Sequence, residues 1–215
     1  MRLLLTAGPT REAIDPVRYI TNRSSGKMGH ALAEAAVSKG HEVILISGPV
    51  ALAPPAGLAE FVAVESAREM FEAVRDRIGK CDAAIFCAAV ADYRPRRIAE
   101  RKIKKTGDTL TLELEKTEDI LGGARTVFGF AGVLVGFAAE TDNLDANARA
   151  KLERKDCDLL VANDVSRRDI GFDSGENEVR LFYRDGRVED PPMGAKSAIA
   201  ERLIRIVETL ATQQG

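Results

Sequence analysis

The chain has 215 residues, 45% of them hydrophobic and 30% charged, with a formal net charge of −2. That is a globular composition, long enough for one large α/β domain or a domain with an appendage, and it lacks the basic excess of a general nucleic-acid binder. No run approaches the ~20 apolar residues of a membrane span, and no cleavable signal pattern opens the chain.

Cys81, Cys87 and Cys157 lack CxxC spacing and fit buried thiols in a reducing cytoplasm. With only His30 and His41, a zinc site or a Ser-His-Asp triad has little raw material. Tryptophan is absent, which argues against stacking on bases as the main theme.

In chain order, apolar runs predict strands at 2–7, 42–47, 60–64, 83–88, 109–115, 132–138 and 158–163. Helical periodicity predicts helices at 26–39, 66–79, 117–127, 143–155 and 194–212. The strands within 2–7, 42–47, 83–88 and 158–163 are continuously apolar, as strands buried on both faces of a parallel sheet are. Gly40 is placed to end the first helix. Ser66 with Glu69 reads as a capping box opening the second. The alternation of strand and helix predicts an α/β, Rossmann-like three-layer sandwich with a mostly parallel sheet, taken as a single domain over 1–215. Leu110 to Leu114 alternates as a strand with one wet face. Val179 to Tyr183, followed by Asp185-Gly186, predicts a late β-hairpin added to the main sheet. Thr212 to Gly215 reads as a flexible tail.

The connection from the first strand to the first helix is about 18 residues long, where such loops usually run to about 2–6. It carries Arg11, Arg18, Asn22, Arg23, Ser24, Ser25 and Lys27, a donor-rich set suited to anionic groups. The linear G-x-G-x-x-G dinucleotide fingerprint and the Walker A motif are both missing. Ser24 to Lys27 opens a helix, so it reads equally as a phosphate site or as a cap with a surface lysine.

Cys87 to Tyr93 follows a buried strand and so sits at the carboxyl edge of the sheet, where ligands bind. Its alanines admit a close ligand. Asp92 there suits a ribose hydroxyl, a metal, or simply a turn cap. The dense basic run from Arg94 to Lys105 reads as a solvated loop or, more sharply, as a flap closing over a polyphosphate. Lys151 and Lys155 share one helix face; spacing alone favours surface lysines paired with Asp145, Glu153 or Asp156. Without a nearby histidine, the strand-end cysteine and Asn163-Asp164 make poor nucleophile sites.

Together, Thr-Ala-Gly-Pro-Thr-Arg-Glu (6–12), Asp-Pro-Val-Arg-Tyr-Ile-Thr-Asn-Arg-Ser-Ser-Gly-Lys-Met-Gly (15–29), Ala-Ala-Val-Ala-Asp-Tyr-Arg-Pro (88–95), Lys-Ile-Lys-Lys (102–105), Gly-Phe-Ala-Ala-Glu-Thr (136–141) and Ala-Asn-Asp-Val (162–165) resemble bacterial phosphopantothenate–cysteine ligase. The resemblance runs from residue 2 to about 210, with the motifs in order. It implies amide formation in coenzyme A biosynthesis. CTP with magnesium would activate 4′-phosphopantothenate as an acyl-cytidylate, and the L-cysteine amine would then displace CMP.

By that resemblance Lys102 assists acyl-cytidylate formation. Asn22 serves the cysteine step, its amide donating to the developing oxyanion. Arg18, Asn22, Ala88 and Ala89 hold phosphopantothenate. Gly8, Ser24, Asp92, Lys102, Asp119, Ile120, Phe137, Lys151 and Lys155 contact the nucleotide. Metal ligands are not specified. Thr117-Glu118 departs from the Asn-Pro that many relatives carry before Asp119-Ile120.

The resemblance further implies a cytoplasmic homodimer with a shared site, for which 177–188 and 109–115 are the candidate contacts. It also implies a decarboxylase partner. The chain opens at Met1 directly before its first strand and carries no such domain, so it reads as a free-standing ligase or as one domain of a fusion. The competing readings are an NAD(P)-binding oxidoreductase and a non-catalytic nucleotide-binding module.

Overall fold

A computed structural model describes residues 1–105, 107–140, 142–164 and 176–214, with the backbone alone described at Asp164 and Glu176. β1 (Arg2–Ala7), β2 (Glu42–Ser47), β3 (Glu60–Ala63), β4 (Ala83–Phe86), β5 (Val133–Glu140), β6 (Leu159–Asp164), β7 (Val179–Tyr183) and β8 (Val188–Glu189) form one eight-stranded sheet. Its order is β8-β7-β6-β5-β4-β1-β2-β3. Strands β1 to β6 pair in parallel. The late hairpin joins the same sheet antiparallel, β7 on β6 and β8 on β7.

The helices are α1 (Lys27–Ser38), α2 (Ala67–Ile78), α3 (Ile120–Thr126), α4 (Leu144–Lys155) and α5 (Lys196–Gln214). Leu3 and Leu5 face α1 and α5, among Leu32, Ala36, Leu203 and Val207. Leu4 faces the other way, among Met70, Val74, Ile78 and Ala124 of α2 and α3 and Leu152 of α4. Hence the continuous apolar run of β1: both faces are covered, and each buried leucine contributes roughly 1.5–3 kcal/mol.

The capping box at Ser66 is present in a shifted form. Its Oγ accepts from Glu69 N at 3.2 Å, but Glu69 reaches back to the N–H of Glu65 at 2.8 Å. The first N–H of α2, on Ala67, donates to buried Glu12 at 2.8 Å. A carboxylate there also complements the helix dipole.

Three expectations are corrected. Of 109–115, only Leu114 and Glu115 are in a strand; Leu114–Lys116 pairs antiparallel with Tyr93–Pro95, apart from the main sheet. The alternating leucines lie on an arm with no core beneath it, so Leu110 and Leu114 are exposed. The helix expected from 117 starts at Ile120, because Asp119 caps it through Gly122 N at 2.9 Å. The tail expected to be flexible continues α5 to Gln214, with Gly215 outside the described residues. The long first connection contains a short hairpin of its own, Arg11–Ala13 against Tyr19–Thr21.

Candidate active site

From β1 the chain winds outward to β2 and β3, then returns to β4 on the other side of β1. The connections leaving β1 and β4 therefore diverge, and a crevice opens at their carboxyl ends. It holds a cleft of about 890 Å³, within the ~300–1,000 Å³ range of ligand sites.

Gly8 (φ +71°) turns the chain out of β1, and Gly26 (φ +74°) turns it into α1. About 17 residues separate them in sequence, yet a β-carbon on Gly26 would lie 3.4 Å from Gly8 Cα. One turn on, a β-carbon on Gly29 would lie 2.5 Å from Ala7 Cβ. Helix α1 thus packs on β1 at glycine distance. The three glycine tasks of a dinucleotide loop (tight turn, open approach to the helix N-terminus, close helix–strand packing) are met in space by an interrupted sequence.

The turn after β4 is held from several sides. Ala88 N donates to Thr6 Oγ1 at 3.2 Å, Ala89 N to Gly8 O at 2.9 Å and Ala91 N to Thr10 Oγ1 at 2.9 Å. Thr117 Oγ1 donates to Ala91 O at 2.6 Å. Asn22 Nδ2 donates to Ala89 O at 3.1 Å and Val90 O at 3.0 Å. Two carbonyls around one atom fix the amide orientation, since the flipped form would set oxygen against oxygen. The Asn22 N–H groups are therefore spent on this turn, and not on the oxyanion to which the resemblance assigned them. Thr6, Thr10 and Thr117 act through backbone groups remote in sequence, a role with no linear signal.

The other end of the cleft is cationic. Lys151 is half-buried and donates to Phe137 O at 3.0 Å. Burial pushes its pKa down, while nearby Glu140 pulls it up. Lys155 pairs with Asp119 rather than with the helix neighbours its spacing suggested. Asp119, although opposed by burial, is held below its ordinary pKa by Lys155 and the Gly122 N–H. Glu118 binds Arg94 at 2.9 Å and Arg68 at 3.5 Å, fastening the arm beside the cleft. Among the described residues, seven Lys or Arg side chains line the cleft against four Asp or Glu, in a chain of net charge −2.

Asn22, Ser24, Ala88, Ala89, Asp92, Asp119, Ile120, Phe137, Lys151 and Lys155 all line this one cleft. Gly8 lies under it as the turn. Arg18 and Lys102 lie outside its lining. Arg18 is bound to Asp15 and to Ile103 O, and Lys102 is exposed on the arm. The sequence reading missed Arg154, Asn177 and Lys196 as lining residues, and weighed the strand-end Asn163 only as a nucleophile. Cys87 also lines the cleft, but burial pushes its thiol up to about 12, leaving it protonated and a poor nucleophile. Neither histidine lines it. Among the described residues no helix is long and apolar enough to cross a membrane.

Fold and site define a doubly wound α/β domain with a cation-rich cleft at its switch point. The chain belongs to the family described as DNA/pantothenate metabolism flavoprotein C-terminal domain, which it matches over residues 1–210. It is 47% identical over 215 residues to the coenzyme A biosynthesis bifunctional protein CoaBC of Bacillus subtilis, covering 99% of this chain and 52% of that protein. The CoaBC of Vibrio vulnificus (strain YJ016) is 48% identical over 210 residues, covering 97% and 52%. The chain thus spans about half the length of these relatives. The crystal structure of the C-terminal domain of a CoaBC superposes with a TM-score of 0.84 at 42% identity, covering 99% of this chain and 96% of that one.

Proposed function

We propose that the chain, acting as one domain over 1–215, joins 4′-phosphopantothenate to L-cysteine in coenzyme A biosynthesis in the cytoplasm. A carboxylate oxygen attacks the α-phosphorus of CTP, pyrophosphate leaves, and an acyl-cytidylate forms. The cysteine amine then attacks the acyl carbon and loses a proton as CMP departs. The observation that carries this reading is 47% identity over nearly the whole chain to a coenzyme A biosynthesis protein. The cleft supports it: charge stabilisation is abundant, and the reaction needs no side-chain nucleophile.

In this reading Gly8, Ser24, Asp92, Asp119, Ile120, Phe137, Lys151 and Lys155 contact the nucleotide. Arg18, Ala88 and Ala89 hold phosphopantothenate, and Lys102 assists the first step at the phosphates. Asn22 acts in the second step through Oδ1, accepting an N–H of the attacking amine, while its own N–H groups hold the Ala89–Val90 turn. Magnesium fits as a companion of the phosphates, since it favours one or two carboxylates plus phosphate oxygens. Among the described residues no group of three or more His, Cys, Asp or Glu is arranged for a metal, and Asp92 is the cleft carboxylate to assist. Bound there, the ion would spread triphosphate charge.

A homodimer with a shared site belongs to the same reading. Arg18 and Lys102 are absent from this chain's own cleft lining. Val17, Tyr19, Tyr93, Ile98, Leu110 and Leu114 expose apolar surface on the same hairpin and arm. The 177–188 segment has less to offer, because Val179, Leu181, Phe182 and Tyr183 are buried in the chain's own core. Sedimentation as a monomer at micromolar concentration would refute the dimer. A phosphopantothenoylcysteine decarboxylase, as fused domain or separate partner, would consume the product.

The test is pyrophosphate release from 4′-phosphopantothenate and magnesium with CTP or ATP, with and without cysteine. CTP-dependent release, followed by CMP and a new amide on adding cysteine, is expected. Release with ATP alone overturns the nucleotide. No release with either, from folded protein, overturns the ligase, and tight NADPH binding would then favour the oxidoreductase.

A further inference from the structure

Asp15 lies between the two functional residues that the cleft lining leaves out. Its side chain is 0% exposed. It accepts from Val17 N at 2.8 Å, Arg18 N at 2.9 Å and Arg18 Nε at 3.0 Å, and it pairs with Arg18 Nη2. It also accepts from Ile103 N at 3.1 Å, across 88 positions of sequence. Arg18 Nη2 completes the ring by donating to Ile103 O at 2.9 Å. Both backbone groups of Ile103 are thus clamped by the Asp15–Arg18 pair, and Lys102 is the residue immediately before it. A second tie, Ala99 N to Ile14 O at 3.0 Å, holds the same stretch of arm to the same hairpin. Charge-assisted and paired bonds of this kind are the strong, geometrically specific ones.

Resting on the ligase reading, we infer that Asp15 is a positioning residue for the first half-reaction: it sets Arg18 and the Lys102 backbone in one rigid unit. Phosphopantothenate and the nucleotide phosphates then meet two cations whose separation is fixed by a buried carboxylate. Misplacing such a group by about 1 Å is worth roughly 100-fold in rate. Arg18 and the surrounding N–H donors hold the Asp15 carboxyl well below the usual carboxylate range. Its influence is therefore constant across neutral and alkaline pH.

The experiment is a double-mutant cycle on pyrophosphate release, using full-length protein and Asp15→Asn, Lys102→Gln and the combined variant, with CTP binding measured separately. Asp15→Asn should lower release at least tenfold and raise KM for 4′-phosphopantothenate, with CTP binding within about twofold of wild type. In the Lys102→Gln background it should add little further loss. Independent, multiplicative losses would overturn the inference, as would full activity in Asp15→Asn. Ile103→Pro removes the arm's N–H to Asp15, together with the isoleucine side chain and some backbone freedom at Lys102; it should reproduce the loss even where Asp15→Asn fails to fold, and normal release by it overturns the inference. Absence of release in the wild type is a different result, and defeats the ligase reading itself.

Discussion

Replacing Gly29 with alanine tests how closely α1 must approach β1 for the cleft to exist. The new β-carbon would sit 2.5 Å from Ala7 Cβ, 3.0 Å from Ala7 Cα and 3.4 Å from Thr6 O. Carbon atoms in contact prefer about 3.5–4.0 Å, so the first turn of α1 must retreat by about 1–1.5 Å. No side-chain rotation relieves the clash, because the atoms met are a β-carbon and backbone, and buried Leu32, Ala33 and Ala36 hold α1 in the core. Overpacking costs about 1–3 kcal/mol, offset by about 1 kcal/mol from alanine's better helix propensity. The net loss of up to about 2 kcal/mol lowers Tm by up to about 8 °C in a domain of this size. The functional loss should be larger. Gly26, Lys27 and Met28 line the cleft and move with the helix, and a displacement near 1 Å is worth roughly 100-fold. Thermal denaturation and pyrophosphate-release kinetics measure the two separately. Adding Ala7→Gly removes the 2.5 Å contact and should restore part of both. Full activity and an unchanged Tm in Gly29→Ala would refute the close-packing argument.

Lys102→Gln should cut pyrophosphate release to a small but measurable residual rate while leaving the fold intact; normal release would contradict its assignment to the first step. Asn22→Asp should retain part of the activation but stall before the amide. It sets a carboxylate oxygen against Ala89 O and Val90 O, where Nδ2 now lies within 3.1 Å; unimpaired amide formation, followed by product mass, would remove Asn22 from the second step. Asp119→Ala removes the α3 cap and the Lys155 pair, and should lower stability by about 1 kcal/mol while weakening nucleotide binding. Wild-type Tm in that variant would deny the cap. The depressed Asp15 carboxyl stabilises the fold fully above its unfolded pKa, about 3.9, and that stabilisation is lost as pH falls below it toward the folded value. Urea unfolding midpoints should therefore drop below about pH 4, and less steeply in Asp15→Asn; identical acid limbs would contradict this.

The α/β sandwich was legible because its signals are local. Leu3-Leu4-Leu5, Val43 to Ile46 and Leu159 to Val161 are buried on both faces, and a continuous apolar run is the direct imprint of that burial. Of the residues ringing the cleft, Ala88, Ala89 and Asp92 were legible for a related reason, since they follow a buried strand at the carboxyl edge of the sheet; Asp119, Ile120, Lys151 and Lys155 came only from the family resemblance. The misread segment, 109–115, had the right alternation and the wrong surroundings. Period-2 patterning reports a strand with two unlike faces, not whether a core lies beneath one of them.

What the tertiary structure alone decided are pairings between distant positions. The interrupted glycine loop closes only when Gly8 and Gly26 meet. Lys155 finds Asp119, 36 positions away, in preference to its helix neighbours. Asn22 turns its N–H groups to carbonyls 67 and 68 positions on, so they are spent on the turn after β4. Asp15 ties the first connection to the arm across 88 positions. Helix and strand periodicity is set by neighbours along the chain. The partner of a polar group is set by which loops the sheet order brings to one edge, and that order is a property of the packed core as a whole.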